Sequence, residues 1–142
     1  MKNLWHWIQK NVLYIAWIQA LIGTMASLYY SEILKLAPCI LCWYQRIFLY
    51  PMVIILAVGI SRKDKNVPHY ILPMSIAGTI IAFYHYLLQL GIIPESLAPC
   101  AAGISCTTKT IEYLGFITIP FLSLVAFAII TICMMIAKKV RD

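Results

Sequence analysis

The stretch from Pro38 to Ile60 reads PCILCWYQRIFLYPMVIILAVGI, in which two cysteines and an arginine precede a long apolar run. The run over 41–60, at about 1.5 Å per helical residue, is long enough to cross the roughly 30 Å of hydrocarbon in a bilayer. It is continuously apolar rather than alternating, which favours a helix over a strand of a membrane barrel. The stretch therefore predicts a transmembrane helix that carries a dithiol and a guanidinium in its first turns.

The composition assigns the rest of the chain to the same class. Of its 142 residues, 63% are hydrophobic and 11% are charged, whereas a soluble domain carries about 25% charged residues. We predict an all-α membrane protein, a four-transmembrane-helix bundle that forms a single domain over 1–142. A cleaved signal peptide is an alternative for the N-terminus, but the first run continues to Tyr30, which favours a retained span. The predicted spans are 12–30, 41–60, 70–90 and 115–137.

The formal net charge of +6 comes from cations that lie in only a few segments of the chain. Lysine and arginine concentrate in the N-terminal segment, in the connection 61–69 and at the C-terminus. Because cytoplasmic loops of membrane proteins carry an excess of these residues, we predict that both termini are cytoplasmic and expect no nucleic-acid partner. The outer loops are then 31–40 and 91–114. The cations concerned are Lys2, Lys10, Arg62, Lys63, Lys65, Lys138, Lys139 and Arg141.

This topology places two cysteine pairs outside the cytoplasm, Cys39 with Cys42 and Cys100 with Cys106. Disulfides persist there, so each pair is a candidate disulfide. The spacing alone fits redox-active pairs, structural disulfides or a tetrahedral metal site. An oxidising location disfavours a stable tetrathiolate, and we expect no metal. Cys133 lies toward the cytoplasmic end of the fourth span, where we expect it to pack as a small apolar residue.

Arg46 is the residue that favours redox chemistry. Helical spacing places Cys42, Gln45 and Arg46 on one face, and an arginine inside a membrane is a candidate functional residue, although it could simply extend to the headgroups. A thiolate at a helix start is stabilised by a nearby guanidinium, which could also donate to a carbonyl of a membrane-soluble electron carrier. His85, at a similar depth in the third span, could deliver a proton to a reduced quinone or merely bond a neighbouring helix. We therefore predict that Arg46, His85 and Gln45 bind such a cofactor.

These motifs resemble the DsbB family of disulfide-bond formation proteins, especially its short BdbC-type members from Gram-positive bacteria. The resemblance covers nearly the whole chain. It implies that a Cys100–Cys106 disulfide oxidises a thioredoxin-like, DsbA- or BdbD-like thiol oxidase, and that Cys39–Cys42 then reoxidises that pair. Electrons would end on a quinone, either menaquinone or ubiquinone. The pathway of this family is what keeps a bacterial periplasm oxidising.

The resemblance also implies a role for each site residue. Cys42 would lie next to the quinone ring with Arg46 assisting it, and Cys100 would form the mixed disulfide with the partner. Gln45 stands where a glutamate often precedes the arginine in longer members. The implied location is the bacterial plasma membrane, as a multi-pass protein in contact with lipid, with the active cysteines on the extracytoplasmic side.

Three other functions remain open at the level of sequence. A membrane scaffold would use both cysteine pairs as structural disulfides, and a metal-handling membrane protein would use them as ligands. A quinone-linked reductase resembling vitamin K epoxide reductase also has a four-helix site with cysteine pairs. Its active Cys-x-x-Cys lies late in the chain, so the early position of Cys39 and Cys42 argues against it.

Overall fold

Four long helices make up most of the structure, a computed structural model that describes residues 1–97, 105–107 and 112–142. A π-helical turn, Tyr29–Ile33, extends the first helix, and a 3₁₀ turn, Glu95–Leu97, follows the third. A short antiparallel pair of strands, β1 (Glu112–Tyr113) and β2 (Ile117–Thr118), precedes the last helix. The helices are α1 (Lys2–Leu28), α2 (Ile40–Ser61), α3 (Val67–Gln89) and α4 (Ile119–Arg141).

The helices follow from the apolar runs and their end signals. Each is long enough to span a membrane and contains an 18-residue stretch with a mean hydropathy between 1.5 and 2.6, which confirms the predicted four-helix membrane fold. Pro68 and Pro120 occupy the first turns of α3 and α4. Proline is tolerated there because backbone N–H groups in the first turn have no acceptor within the helix, so the missing N–H costs no hydrogen bond. Lys138, Lys139 and Arg141 lie in the last turn of α4, where positive charge complements the helix dipole.

Two helices begin four or more residues away from the start of the predicted span. α1 begins at Lys2 rather than at residue 12. The predicted span covers only the apolar run, whereas the helix also includes the more polar residues 2–11, whose backbone is hydrogen-bonded in the same way. α4 begins at Ile119 rather than at residue 115, because residues 112–118 pair as β1 and β2. Gly115, with a φ of +81°, lies in the turn between these strands.

The core lies where all four helices meet, and apolar side chains also cover the outside. Phe127 and Met134 from α4, Met52 from α2 and Ala16 from α1 are fully buried in one cluster. Isoleucines on the outer faces are half exposed or more, as expected for surfaces that contact lipid. Cys133 lies in this core, in agreement with its predicted packing role. The outer-facing isoleucines include Ile18, Ile54, Ile80 and Ile132.

Close packing of α3 on α4 requires a glycine at position 78. A Cβ built at Gly78 would lie 2.2 Å from the ring of Phe127, which is fully buried. We therefore expect Gly78→Ala to destabilise the protein by about 1–3 kcal/mol through overpacking, measured as a lower midpoint of thermal unfolding in detergent. Gly23→Ala is the control, since its Cβ would lie 3.3 Å from a flexible leucine methyl. Equal midpoints for the two variants would contradict this account of the contact.

Candidate active site

The first cysteine pair lies at the beginning of α2. Cys39 is the N-cap residue, with extended backbone, and its carbonyl accepts the first helical hydrogen bond, from the Trp43 N–H at 3.1 Å. Cys42 lies one turn later, so the two sulfurs face each other at 3.3 Å as free thiols. The structure thus holds the pair reduced and hydrogen-bonded. The Cys39–Cys42 disulfide stays a prediction for the oxidised state.

His85 lies between the two cysteine pairs and contacts a residue of each. Cys106 is buried and disulfide-bonded, whereas its predicted partner Cys100 lies outside the described residues, so the Cys100–Cys106 pairing stays a prediction. The Cys39 sulfur, the Cys106 sulfur and a ring nitrogen of His85 lie within 4.8 Å of one another. Two cysteines separated by a whole helical hairpin are therefore close enough that a small side-chain movement would bring the sulfurs into contact.

A polar chain runs through the bundle interior from α4 to the second cysteine pair. The Ser123 hydroxyl donates to Oε1 of Gln45 at 2.6 Å, and the Gln45 amide nitrogen lies 3.3 Å from Nδ1 of His85. Nε2 of His85 lies 3.2 Å from the carbonyl oxygen of Cys106 and 3.7 Å from the Cys39 sulfur. Because a carbonyl can only accept, the His85 proton is assigned to Nε2, and Nδ1 accepts from Gln45. The chain is complete with a neutral imidazole.

This chain of hydrogen bonds gives Gln45 a role in addition to the predicted one. Gln45 is buried and both ends of its amide contact protein groups, which supports a role in orienting His85. That Gln45 contacts a cofactor stays a prediction. Sequence reasoning missed Ser123 altogether, because it lies in a span from which no chemistry was expected. The signal that could have identified Ser123 is its hydroxyl inside a predicted span, since polar side chains there often bond a neighbouring helix.

We expect Ser123→Ala to break this chain. The Gln45 oxygen would lose its donor, at a cost of about 1–3 kcal/mol in unfolding free energy for a buried unsatisfied acceptor. The Gln45 amide could then rotate away from His85, so the pH profile of turnover should also shift. Ser123→Thr keeps the hydroxyl and should have the wild-type profile. Thermal unfolding and pH–rate profiles measure the two effects. Ser61→Ala, at the exposed end of α2, is the control, and a Ser123→Ala variant indistinguishable from it would refute this role.

Arg46 is bonded to α1 and has a buried donor without a partner among the described residues. Its Nη2 donates to the carbonyl of Ser27 in α1 at 3.1 Å, and the guanidinium carbon lies 5.4 Å from the centre of the Trp43 ring. Its Nε is buried without a hydrogen-bond partner among the described residues, as is Oε1 of Gln89. Arg46 is therefore held inward by α1 instead of extending freely to the headgroups, with a donor left to bind a ligand.

A cavity of about 160 Å³ joins these groups. For comparison, an apolar cavity of about 150 Å³ binds benzene, so this one has room for a single six-membered ring. Its wall is mainly apolar with a few convergent polar groups, the usual character of a site for a small organic molecule. The cavity brings together six of the seven predicted site residues, and the seventh, Cys100, lies outside the described part of the chain. The six are Cys39, Cys42, Gln45, Arg46, His85 and Cys106.

The surroundings of Cys39 favour its thiolate. The hydrogen bond from the Cys42 thiol lowers the pKa of Cys39 to about 4, burial opposes this shift, and a hydrogen bond from His85 adds to the lowering. The thiolate is the form that attacks disulfides. Cys39 is therefore the cysteine of the reduced pair whose thiolate is favoured, and its sulfur lies within 4.8 Å of that of Cys106.

This lowered pKa predicts the pH range of the thiolate. A group whose pKa is depressed stays ionised above that value, so reduced protein should keep one thiolate from neutral pH down to about pH 4, where it takes up a proton. An ordinary thiol, with a pKa of about 8.5, is already protonated at neutral pH. Thiolate ultraviolet absorbance against pH measures this. The low-pH step should disappear in Cys39→Ser and persist in Cys133→Ser, and a wild-type step only near pH 8–9 would contradict the assignment.

An exposed carboxylate anchors the segment that carries Cys106. Glu95 accepts hydrogen bonds from the hydroxyls of Ser105 at 2.6 Å and Thr107 at 3.1 Å, and these two bonds lower its pKa. Glu95 belongs to the 3₁₀ turn, which is itself tied to α3 by the Tyr84 hydroxyl donating to the carbonyl of Leu97 at 3.0 Å. The residues on either side of Cys106 are therefore attached to the end of α3 that carries His85.

Comparison with known proteins finds similarity over most of the chain. Residues 9–137 match the model of the family described as disulfide bond formation protein DsbB. Disulfide bond formation protein C of Bacillus subtilis is 48% identical over 126 residues, covering 89% of this chain and 91% of that protein. A Bacillus cereus protein named probable disulfide formation protein C 1 is 45% identical over 132 residues, covering 92% and 94%. No solved structure matches the chain.

Proposed function

We propose that this chain, which belongs to the DsbB family of disulfide bond formation proteins, passes the electrons of an extracytoplasmic dithiol protein to a membrane quinone. Family membership makes it a multi-pass membrane protein and a disulfide-generating oxidoreductase that exchanges thiols and disulfides with a partner. The observation that carries the finer proposal is the meeting of Cys39, His85 and Cys106 within 4.8 Å, beside the cavity that Arg46 enters.

The electron path has two disulfide exchanges and one reduction. A thiolate of a thioredoxin-like partner attacks the Cys100–Cys106 disulfide, and the partner leaves oxidised while both cysteines become thiols. These then reduce the Cys39–Cys42 disulfide through a bond between Cys39 and Cys106, which restores the second pair. The proximity of Cys39 to Cys106 supports this step. Each exchange moves two electrons, and the protons remain on the thiols that form.

Quinone reduction regenerates the first pair. Cys42, which lines the cavity, would be the cysteine next to the quinone, and oxidation of the two thiols to the Cys39–Cys42 disulfide would release the two electrons and two protons that convert quinone to quinol. The unpartnered Nε of Arg46 would donate to a quinone carbonyl and stabilise the negative charge that develops on it. The cavity fits one ring of menaquinone or ubiquinone.

His85 is placed to assist both steps. Its Nε2–H contacts the Cys106 carbonyl and lies 3.7 Å from the Cys39 sulfur, so it can stabilise the thiolate that leaves during exchange. Its ring also borders the cavity, where it could pass a proton toward the reduced quinone. Ser123 and Gln45 fix its orientation without adding charge.

The distribution of charge supports an orientation in the bacterial plasma membrane. The cysteine site lies at one end of the bundle, where α2 begins and α3 ends. The opposite end carries the cations, and there Nη1 of Arg141 donates to the carbonyl of Asp64 at 2.7 Å, tying the C-terminus to the α2–α3 connection. By the positive-inside rule this end, with both termini, faces the cytoplasm, and the cysteines face outward.

Stoichiometric quinol formation tests the proposed function. Purified protein in detergent would be mixed with a reduced thioredoxin-like dithiol protein and a quinone, and quinol and remaining thiols would be measured together. We expect one quinol for each dithiol oxidised, no quinol with Cys42→Ser, and normal turnover with Cys133→Ser. Absence of quinol formation by the wild type, with its disulfides unchanged, would contradict the proposal and favour a structural role for the cysteines.

A further inference from the structure

We propose that reduction of the Cys106 disulfide creates a buried binding site for a soft divalent cation such as Zn²⁺, with Cys39, His85 and Cys106 as ligands. The three potential ligand atoms lie within 4.8 Å of one another, and each residue is at most 6% exposed. They come from three separate parts of the fold, the N-cap of α2, the end of α3 and the segment before β1. Two thiolates and one imidazole form a donor set typical of zinc.

The spacing of these atoms is close to that in known zinc sites. Bond lengths of about 2.3 Å to sulfur and 2.0–2.1 Å to nitrogen place tetrahedral ligand atoms about 3.5–3.8 Å apart. The Cys39 sulfur and Nε2 of His85 are already 3.7 Å apart. Cys106 is within 4.8 Å of both, so it needs to move by only about 1 Å. The fourth position is open to water or to Cys42, whose sulfur lies 3.3 Å from that of Cys39.

The neighbours of His85 can support metal binding. Ligation through Nε2 requires the proton to move to Nδ1, which faces the Gln45 amide. Rotation of that amide would let its oxygen accept the Nδ1 proton while its nitrogen donates to the Ser123 hydroxyl, so Nδ1, the amide and the hydroxyl each keep a partner, and only the Cys106 carbonyl loses its donor. Metal-binding histidines usually donate their second N–H to such an acceptor.

Metal binding at this site depends on the redox state. While Cys106 is disulfide-bonded, its sulfur is not a thiolate ligand, and the set is incomplete. After reduction by a dithiol, Zn²⁺ would displace the proton of the Cys106 thiol and join the Cys39 thiolate, with no electron transferred. The proposed site differs from the exposed four-cysteine site that the sequence argues against. It forms only after the Cys106 disulfide is reduced, and His85 is one of its ligands. If the proposed function holds, the bound cation would also block exchange between Cys39 and Cys106.

Cobalt titration of the full chain tests this site independently of turnover. Purified protein in detergent would be compared as the oxidised form and after reduction with a phosphine, which is then removed without oxygen. We expect one Co²⁺ per reduced chain, with thiolate-to-cobalt charge-transfer absorption that Zn²⁺ abolishes, and no such absorption in the oxidised form. Since both forms have the wild-type sequence, misfolding of a variant cannot explain the difference.

Two variants identify the ligands. Reduced Cys106→Ser should lose the charge-transfer absorption, and reduced Cys133→Ser, whose cysteine lies in the distant core, should keep it. The inference is overturned if reduced wild type binds no cobalt, if oxidised protein binds it equally, or if Cys106→Ser retains full binding. None of these results bears on quinol formation, so the metal site and the proposed oxidoreductase mechanism can fail separately.

Discussion

Cys39→Ser should reduce dithiol-dependent quinol formation to the rate without enzyme. The proposed electron path runs through a bond between Cys39 and Cys106, whose sulfurs lie within 4.8 Å of each other. A serine hydroxyl cannot form the mixed disulfide through which electrons pass from the second pair to the first. The measurement is quinol formation from a reduced dithiol protein, with helicity checked by circular dichroism.

The matched control for this prediction is Cys133→Ser. Cys133 is also a free, buried cysteine, but it lies in the helical core away from the cavity. It should turn over quinone at the wild-type rate once folding is confirmed. A Cys39→Ser protein that retained a substantial fraction of wild-type turnover would remove Cys39 from the electron path.

Arg46→Met should lower kcat/KM for quinone by roughly 10-fold to 150-fold. This corresponds to about 1.5–3 kcal/mol, the contribution of a hydrogen bond to a charged group. Methionine keeps much of the side-chain volume but removes the buried Nε donor and the positive charge beside the cavity. In the proposed path, the exchange between the partner and the Cys100–Cys106 pair does not involve Arg46, so partner oxidation in a single turnover should be preserved.

Two further variants test whether the positive charge of Arg46 or its hydrogen bonds matter, and whether loss of any cation from α2 has the same effect. Arg46→Lys retains the charge without the planar fork, and should recover only part of the lost rate. Arg62→Met removes an exposed cation at the opposite end of α2 and should leave quinone kinetics unchanged. Unchanged quinone kinetics in Arg46→Met itself would eliminate the proposed role of this residue.

The fold could be predicted well from the sequence because lipid restricts the choices. A long apolar run must satisfy its own backbone hydrogen bonds, so it becomes a helix, and four runs give four helices. The strand pair before α4 was not predicted. Its strands have two residues each, and they depend on the turn at Gly115 rather than on any hydrophobic pattern. The polar start of α1 was also missed, since it has no signal in hydropathy.

The site could be predicted only where it is local. Cys42, Gln45 and Arg46 share a helical face by spacing, and the up-down order of the spans brought His85 to a similar depth. The contacts that define the chemistry are long-range, between Cys39 and Cys106 and between Gln45 and Ser123, and they depend on how the helices rotate against one another. Spacing places Gln45 on the same face as Cys42 and Arg46, but the contacts of its amide with His85 and Ser123 depend on packing and could not be predicted from spacing.

Mapping the disulfide formed between the two pairs tests the central claim most directly. In a Cys42→Ala/Cys100→Ala double variant, the cysteines that remain are Cys39, Cys106 and Cys133. After full reduction and mild oxidation in detergent, the protein would be digested and its peptides identified by mass spectrometry without reduction. The mechanism predicts an intramolecular Cys39–Cys106 disulfide as the main product. Free thiols at both positions, or bonds formed only between molecules, would contradict electron exchange between the pairs.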